Sequence, residues 1–278
     1  MPLSTFDNWL GRQEHSVDFL SSSMTRRLAV TLGDDALAAG DALPPLWHWA
    51  FFQEPVVGSR LGMDGHPLTG DFLPPVEGRN RMWAGSRVSF LQPLRVEEYA
   101  QRISTIRSIE EKQGKTGALL FVTVQHEYLQ HGVTCVREEQ DIVYRAPAPP
   151  KLASSLQVPP VDWQDPVYPS SVMLFRYSAA TFNSHRIHYD LPYATEQEGY
   201  PGLVVHGPMI ATLLLRSFTQ RFPHRAPQRF AFRGIRPLIA DKEFLVGGIE
   251  NQDQSCALLA FNDEGPAHQA EIQYKETK

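Results

Sequence analysis

Residues 182–218 read FNSHRIHYDLPYATEQEGYPGLVVHGPMIATLLLRSF. The second half of this stretch decides the element type. Ile210, Leu213, Leu214 and Phe218 recur at helical spacing, and Met209 with Phe222 widens the apolar stripe. A stripe that wide belongs to a helix enclosed by its neighbours. Pro208 stands at the first helical position, where a missing N–H costs nothing. Four strand-like runs follow: QRFAFRGIRPLI (228–239), EFLVGGIENQ (243–252), CALLAFND (256–263) and AHQAEIQYKE (267–276). One enclosed helix followed by an antiparallel meander predicts an α+β unit, a sheet wrapped around a helix.

Working toward the N-terminus, SVMLFRYSAATF (171–182) reads as a strand. Before it, RAPAPPKLASSLQVPPVDWQDPVYPSS (145–171) contains seven prolines, which forbid continuous helix or sheet and mark a linker. The expected division is 1–146, a linker over 147–170, and 171–278. The first half holds strand patterns at 81–93, 103–112, 118–130 and 133–145, with QGKTG (113–117) as a hairpin turn. SSMTRRLAVTLGDDALAAG (22–40) reads as a helix ending at a glycine, and PPLWHWAFF (44–52) as a short buried piece. No second copy of the long helix is visible. Residues 54–80 are too rich in Gly and Pro to supply one and read as a long loop.

The bulk properties bound the function. The chain has 278 residues, 42% hydrophobic and 21% charged, with 26 basic against 31 acidic side chains and a net charge of −5. No lysine or arginine run exceeds two, which argues against a nucleic-acid groove or an anionic-membrane surface. Two cysteines, Cys135 and Cys256, cannot build a disulfide framework or a thiolate zinc cage. The first twenty residues lack the apolar core of a signal peptide, and no run is long enough for a membrane helix. A cytoplasmic protein, monomeric or homodimeric, is the expectation.

The chemistry gathers just before the long helix. Asn183, His185, Arg186, His188 and Asp190 fall within eight positions. Read as an extended overhang, the segment puts His188 and Asp190 on one side, with Ile187 and Tyr189 opposite. Asp190, followed by Leu-Pro, is either the N-cap of a short helix or an additional acid–base group. His185 and Arg186 suit a surface. Gly207 lets a ligand approach its backbone, and its N–H at the helix start suits a developing negative charge. His188 as base and the Gly207 N–H as donor make a two-part site. Arg233 and Arg236 are anchors for an anionic group or salt-bridged strand residues. His48 reads as a core histidine, His66 has no nameable partner, and His126 and His131 lack the companions of a metal site. No nucleotide loop, G-x-S-x-G elbow or HExxH motif is present.

A strand, then NSHRIHYDLPYA, then GYPGLVVHGP opening a long helix resembles the MaoC-like hydratases and dehydratases of the hotdog fold. LPPLWHWAFF, NRMWAGSRVSF and QPLRVEE are similar to the dehydratase-like partner unit of that family. The resemblance implies a double hotdog: two antiparallel sheets, a central long helix in the C-terminal unit and a reduced one in the N-terminal unit. Within the family it points to the branch that hydrates itaconyl-CoA or mesaconyl-C4-CoA to citramalyl-CoA. The family motif D-x-N-P-(I/V/L)-H places its histidine on His188 and its aspartate on Asn183, with His-Arg at 185–186 replacing Asn-Pro. Asparagine holds a water but takes no proton. The resemblance therefore implies His188, Asn183 and Gly207 as the catalytic group, with Asp190 as a possible further acid or base. Arg186, Arg233 and His206 are expected near the substrate. No metal and no cofactor beyond the substrate's own coenzyme A are expected. A 3-hydroxyacyl-thioester dehydratase, a thioesterase and a non-catalytic acyl-thioester-binding module are the competing readings.

Overall fold

The computed structural model describes residues 6–76, 78–114 and 117–277. The centre of the QGKTG turn and the first five residues lie outside them. In chain order the elements are β1 (Gln13–Phe19), α1 (Ser22–Leu32), β2 (Asn80–Phe90), β3 (Tyr99–Gly114), β4 (Gly117–Gln130) and β5 (Val133–Arg145). They continue with β6 (Trp163–Val167), α2 (Ser171–Ala180), α3 (Gly207–Arg221), β7 (Arg225–Gly234), β8 (Phe244–Glu250), β9 (Ser255–Asn262) and β10 (Gly265–Glu276).

The ten strands form one antiparallel sheet in the order β1-β3-β4-β5-β2-β7-β10-β9-β8-β6, where two sheets were expected. The halves join edge to edge, Gly85 to Ser89 of β2 pairing with Arg229 to Arg233 of β7. Gly85 makes this seam possible: a Cβ there would stand 2.2 Å from the Phe232 carbonyl oxygen. Helix α3 lies against β7, β8, β9 and β10, with Met209 to Leu215 and Phe218 buried along it. The largest hydrophobic cluster runs from α1 through the seam to α3, with smaller ones on β3–β5 and around Ile187 and Tyr193. Cys135 and Cys256 are free and buried. No helix among the described residues is long and apolar enough to cross a membrane.

Several expectations are corrected. Residues 171–180 are helix, not strand: Ser170 caps α2 by accepting from Met173 N at 3.2 Å. Leu174, Tyr177 and Ser178 then turn inward at helical spacing. The proline-rich stretch contains β6, which pairs with β8 alone, so Pro166 sits on an outer edge where a missing donor is tolerated. Helix α1 ends at Gly33, whose φ of 77° closes it, well short of residue 40. Strand β1 had no clear pattern because it is a largely polar edge strand. The residues before the long helix are not extended: Arg186–His188 form a turn of 3-10 helix.

Candidate active site

The segment between α2 and α3 is set by backbone bonds. Asn183 N donates to Ser178 O at 2.9 Å, and Asn183 Oδ1 accepts from His185 N at 3.0 Å. With its oxygen engaged, Asn183 has its NH2 left to offer a ligand. The 3-10 turn buries Ile187 and His188 together, so the alternation expected for an extended chain fails. His188 Nδ1 lies 2.7 Å from Val204 O. A carbonyl only accepts, so Nδ1 carries the proton and Nε2 keeps its lone pair. Burial pushes the His188 pKa down to about 4 against the opposing Val204 bond, so the ring is neutral near pH 7.

His206 stacks on His188 with ring centroids 3.7 Å apart, and its Nε2 lies 2.8 Å from Ser178 Oγ. It is fully buried with Nδ1 unpartnered, and burial holds its pKa well below the usual value. It supports His188 from behind. His185 sits 5.4 Å from His188 and 4.1 Å from His66, so four imidazoles form a file. Helix α3 begins at Gly207 with no side-chain cap, which leaves its first N–H groups to a ligand or water.

Asp190 is a cap. Its Oδ1 accepts from Tyr193 N at 3.1 Å, and its Oδ2 pairs with Arg186 Nη2 at 2.7 Å. Arg186 also donates to Met63 O at 3.0 Å and lies 4.2 Å over the Tyr193 ring, so its guanidinium is engaged by protein.

A cavity of about 400 Å³ opens between the halves, within the range of small-molecule sites. From the C-terminal half it is lined by Tyr177, Thr181, Phe182, Asn183, Ser184 and Pro208. The N-terminal half contributes Trp49, Trp83, Tyr128, Glu138, His126 and His66, with two cations, Arg81 and Arg102. Of the expected site residues only Asn183 is in this wall; Gly207 adjoins the lining Pro208 in sequence but does not line it, and neither do His188, His206, Arg186 and Arg233. Arg233 is exposed on β7, donating to Gln269 at 2.9 Å on β10, and Arg236 is buried, holding Asn262 and Gly265 O at the β9–β10 turn. His126 bonds Ser104 and Gln140, and exposed His131 pairs with Glu98 at 2.8 Å.

Two wall features escaped sequence reading. Glu138, buried, accepts from Trp49 Nε1 at 2.9 Å and Ser86 Oγ at 2.7 Å, with His48 Nε2 3.5 Å away. In the long loop, Asp64 Oδ2 lies 2.7 Å from His66 Nδ1. The available signal was Asp-Gly-His at 64–66, two ionisable groups with a turn residue between them. Asp64, His66 and His185 also bring metal-capable atoms within 4.8 Å of one another. The Asp64–His66 separation is that of a hydrogen bond, so this pair satisfies itself without an ion.

Residues 46–240 match the model of the family described as hydroxyacyl-thioester dehydratase type 2. The chain is 45% identical over 235 residues to mesaconyl-C(4)-CoA hydratase of Chloroflexus aurantiacus, covering 83% of this chain and 84% of the relative. The chain belongs to this family. Hydroxyacyl-thioester dehydratase type 2 of Schizosaccharomyces pombe, mitochondrial, is 28% identical over 81% of this chain and 86% of its own. Among solved structures, the MaoC-like dehydratase of Phytophthora capsici matches with a TM-score of 0.67 at 15% identity over 98% of each chain. HtdX of Mycobacterium tuberculosis gives 0.66 at 14% identity over 95% of this chain and 100% of its own. These likenesses establish a MaoC-like hotdog fold. Hydration and dehydration are one reaction in two directions, and the family is one of hydro-lyases.

Proposed function

We propose that this chain hydrates a short branched dicarboxylic enoyl-CoA, mesaconyl-C4-CoA or itaconyl-CoA, to citramalyl-CoA. It does so as a double hotdog with units over 1–146 and 171–278. The observation that carries the reading is the shared cavity. One wall bears Asn183 and the start of α3, and the other bears Arg81 and Arg102. The two cations take the place expected for Arg186 and Arg233 as partners of the substrate's free carboxylate.

Addition of water at the β-carbon places enolate charge on the thioester oxygen. The Gly207 N–H at the α3 start meets that charge, where the helix dipole favours it. Asn183 holds the water through its NH2, and the lone pair of His188 Nε2 takes the water's proton. Val204 O fixes the ring so that this nitrogen is the basic one. No cofactor enters beyond the coenzyme A of the substrate.

His188→Ala is expected to cut turnover at least about a hundredfold with substrate binding retained. The measurement is loss of conjugated-thioester absorbance across a panel of enoyl-CoA esters. Near-normal turnover in the variant removes His188 from the mechanism. Dehydration of a simple 3-hydroxyacyl thioester is the second reading, favoured by the kinship to the yeast protein. The same panel separates them, because that reading requires unbranched monocarboxylic substrates to win.

A further inference from the structure

Hydration needs two proton transfers, one away from water and one onto the α-carbon. The Asn183 amide performs neither. The loop of the N-terminal half fills this gap. His66 lines the cavity in company with Asn183 and Ser184. Asp64 grips it twice, Oδ2 at 2.7 Å from Nδ1 and Oδ1 accepting from the His66 backbone N–H at 3.0 Å. A carboxylate that accepts from Nδ1 leaves Nε2 as the reactive nitrogen, and no described residue bonds it. The loop is latched onto the motif segment itself: Ser184 Oγ donates to Gly65 O, and Arg186 N donates to Asp64 O at 2.9 Å. Gly65 has φ +87°, and a Cβ there would lie 2.0 Å from Ser184 O, so only glycine permits this approach.

We infer that His66 is a second catalytic residue of this site, delivering the proton to the α-carbon, with Asp64 as its positioning residue. This rests on the hydratase reading. As the water oxygen bonds to the β-carbon, its proton passes to His188 Nε2 and the π electrons move into the enolate. The α-carbon then takes the proton from His66 Nε2–H, regenerating the thioester carbonyl. The proton on His188 returns to His66 through solvent, and nothing is oxidised or reduced.

The direction of transfer follows from the partners. Burial raises the Asp64 carboxyl, but the hydrogen bond and charge of His66 outweigh it and hold Asp64 well below the usual range. Burial lowers His66 and sets the net direction below the usual imidazole value, with the Asp64 bond opposing it in part. His188 has only a neutral carbonyl for a partner. Of the two imidazoles, the one beside a carboxylate is the better seat for a shared proton. Asp64, Arg81, Glu198, His185 and His188 are the charged or titratable groups around His66.

The test uses His66→Gln and Asp64→Asn in the full chain, with near-ultraviolet circular dichroism to check folding. His66→Gln is expected to lower kcat at least about a hundredfold with little change in substrate binding. It should also abolish solvent-deuterium exchange at the α-carbon of the hydrated product. An acid must be protonated, so wild-type kcat/KM for hydration falls as pH rises through the His66 pKa. Loss of the Asp64 anion lowers that pKa, so Asp64→Asn moves the falling limb to lower pH, a shift that a merely structural role would not produce. If His66→Gln fails to fold, Asp64→Asn alone decides. Retention of half the wild-type kcat in His66→Gln, or an unmoved limb in Asp64→Asn, overturns the inference. Wild type inactive on the whole panel overturns the hydratase reading instead. Activity lost to EDTA and restored by a divalent ion would replace the Asp64–His66 pair with a metal at Asp64, His66 and His185. Activity indifferent to EDTA supports the pair.

Discussion

Two carboxylate–imidazole pairs border the cavity, and they are arranged in opposite order. In the first, Glu138 faces the cavity and His48 is buried behind it, 2% exposed. In the second, His66 faces the cavity and Asp64 stands behind. Burial alone raises the Glu138 carboxyl, but contacts with His48, then His126 and Trp49, outweigh it and hold the group at about 2. A carboxylate so held, with Trp49 and Ser86 on its oxygens, stays ionised and moves no proton at neutral pH. An imidazole in front, with one nitrogen unbonded, stays available. The same two functional groups thus give a locked polar anchor in one place and a proton-transfer device in the other. Order and saturation decide which.

The largest effect that separates them is on stability. Glu138→Ala strands the half-buried Trp49 N–H and the buried Ser86 hydroxyl and removes the charge beside buried His48, and breaking a buried pair costs about 3–5 kcal/mol. Asp64→Ala removes a bond on a loop whose carboxyl is 32% exposed, worth about 1 kcal/mol or less. Urea denaturation of both variants measures the difference. Equal losses would break the comparison, since both pairs would then be structural.

The contrast also explains what the sequence made legible. Helix α3 announced itself because its apolar spacing is a local property, and eight of the ten strands did so by their own patterns, all but the edge strands β1 and β6. The positions Asn183, His188 and Gly207 stood out because they cluster within one stretch. Asp190 offered its capping role in its own neighbourhood, Leu-Pro following it. What could not be read depends on contacts across the fold. The Asp64–His66 loop touches Ser184 and Arg186 some 120 positions away, and Glu138 meets Ser86 across strands and Trp49 from a 3-10 turn. Arg81 opens one strand pattern and Arg102 stands just before another, and neither gave a sign of a shared cavity. The α2 helix was mistaken for a strand because its cap, Ser170, is embedded among prolines that suggested only a linker.

A middle-sized effect sharpens the comparison at the loop. Gly65→Ala forces a side chain into φ +87° against the Ser184 carbonyl. The left-handed backbone alone costs about 1–2 kcal/mol, and the loop must also retreat from the motif. The expected result is a kcat at least about tenfold lower with KM little changed, because the acid is displaced while the acyl pocket persists. A drop in stability without a drop in kcat would detach the loop from the chemistry.

The smallest effect concerns the cations. Arg102 has its Nε buried without a partner, while one Nη reaches Glu14 at 3.3 Å. A guanidinium left partly unbonded beside a cavity favours a ligand that brings its own negative charge, since charge-assisted bonds are the stronger kind. Arg102→Gln removes the charge and keeps much of the length. For a dicarboxylic enoyl-CoA, KM should rise about tenfold, equivalent to about 1.4 kcal/mol, with kcat nearly unchanged. Crotonyl-CoA has no second carboxylate and should be indifferent to the substitution. Parallel losses on both esters would make Arg102 a strut of the wall like Glu138, and Arg81 would then be the remaining cation to read the substrate.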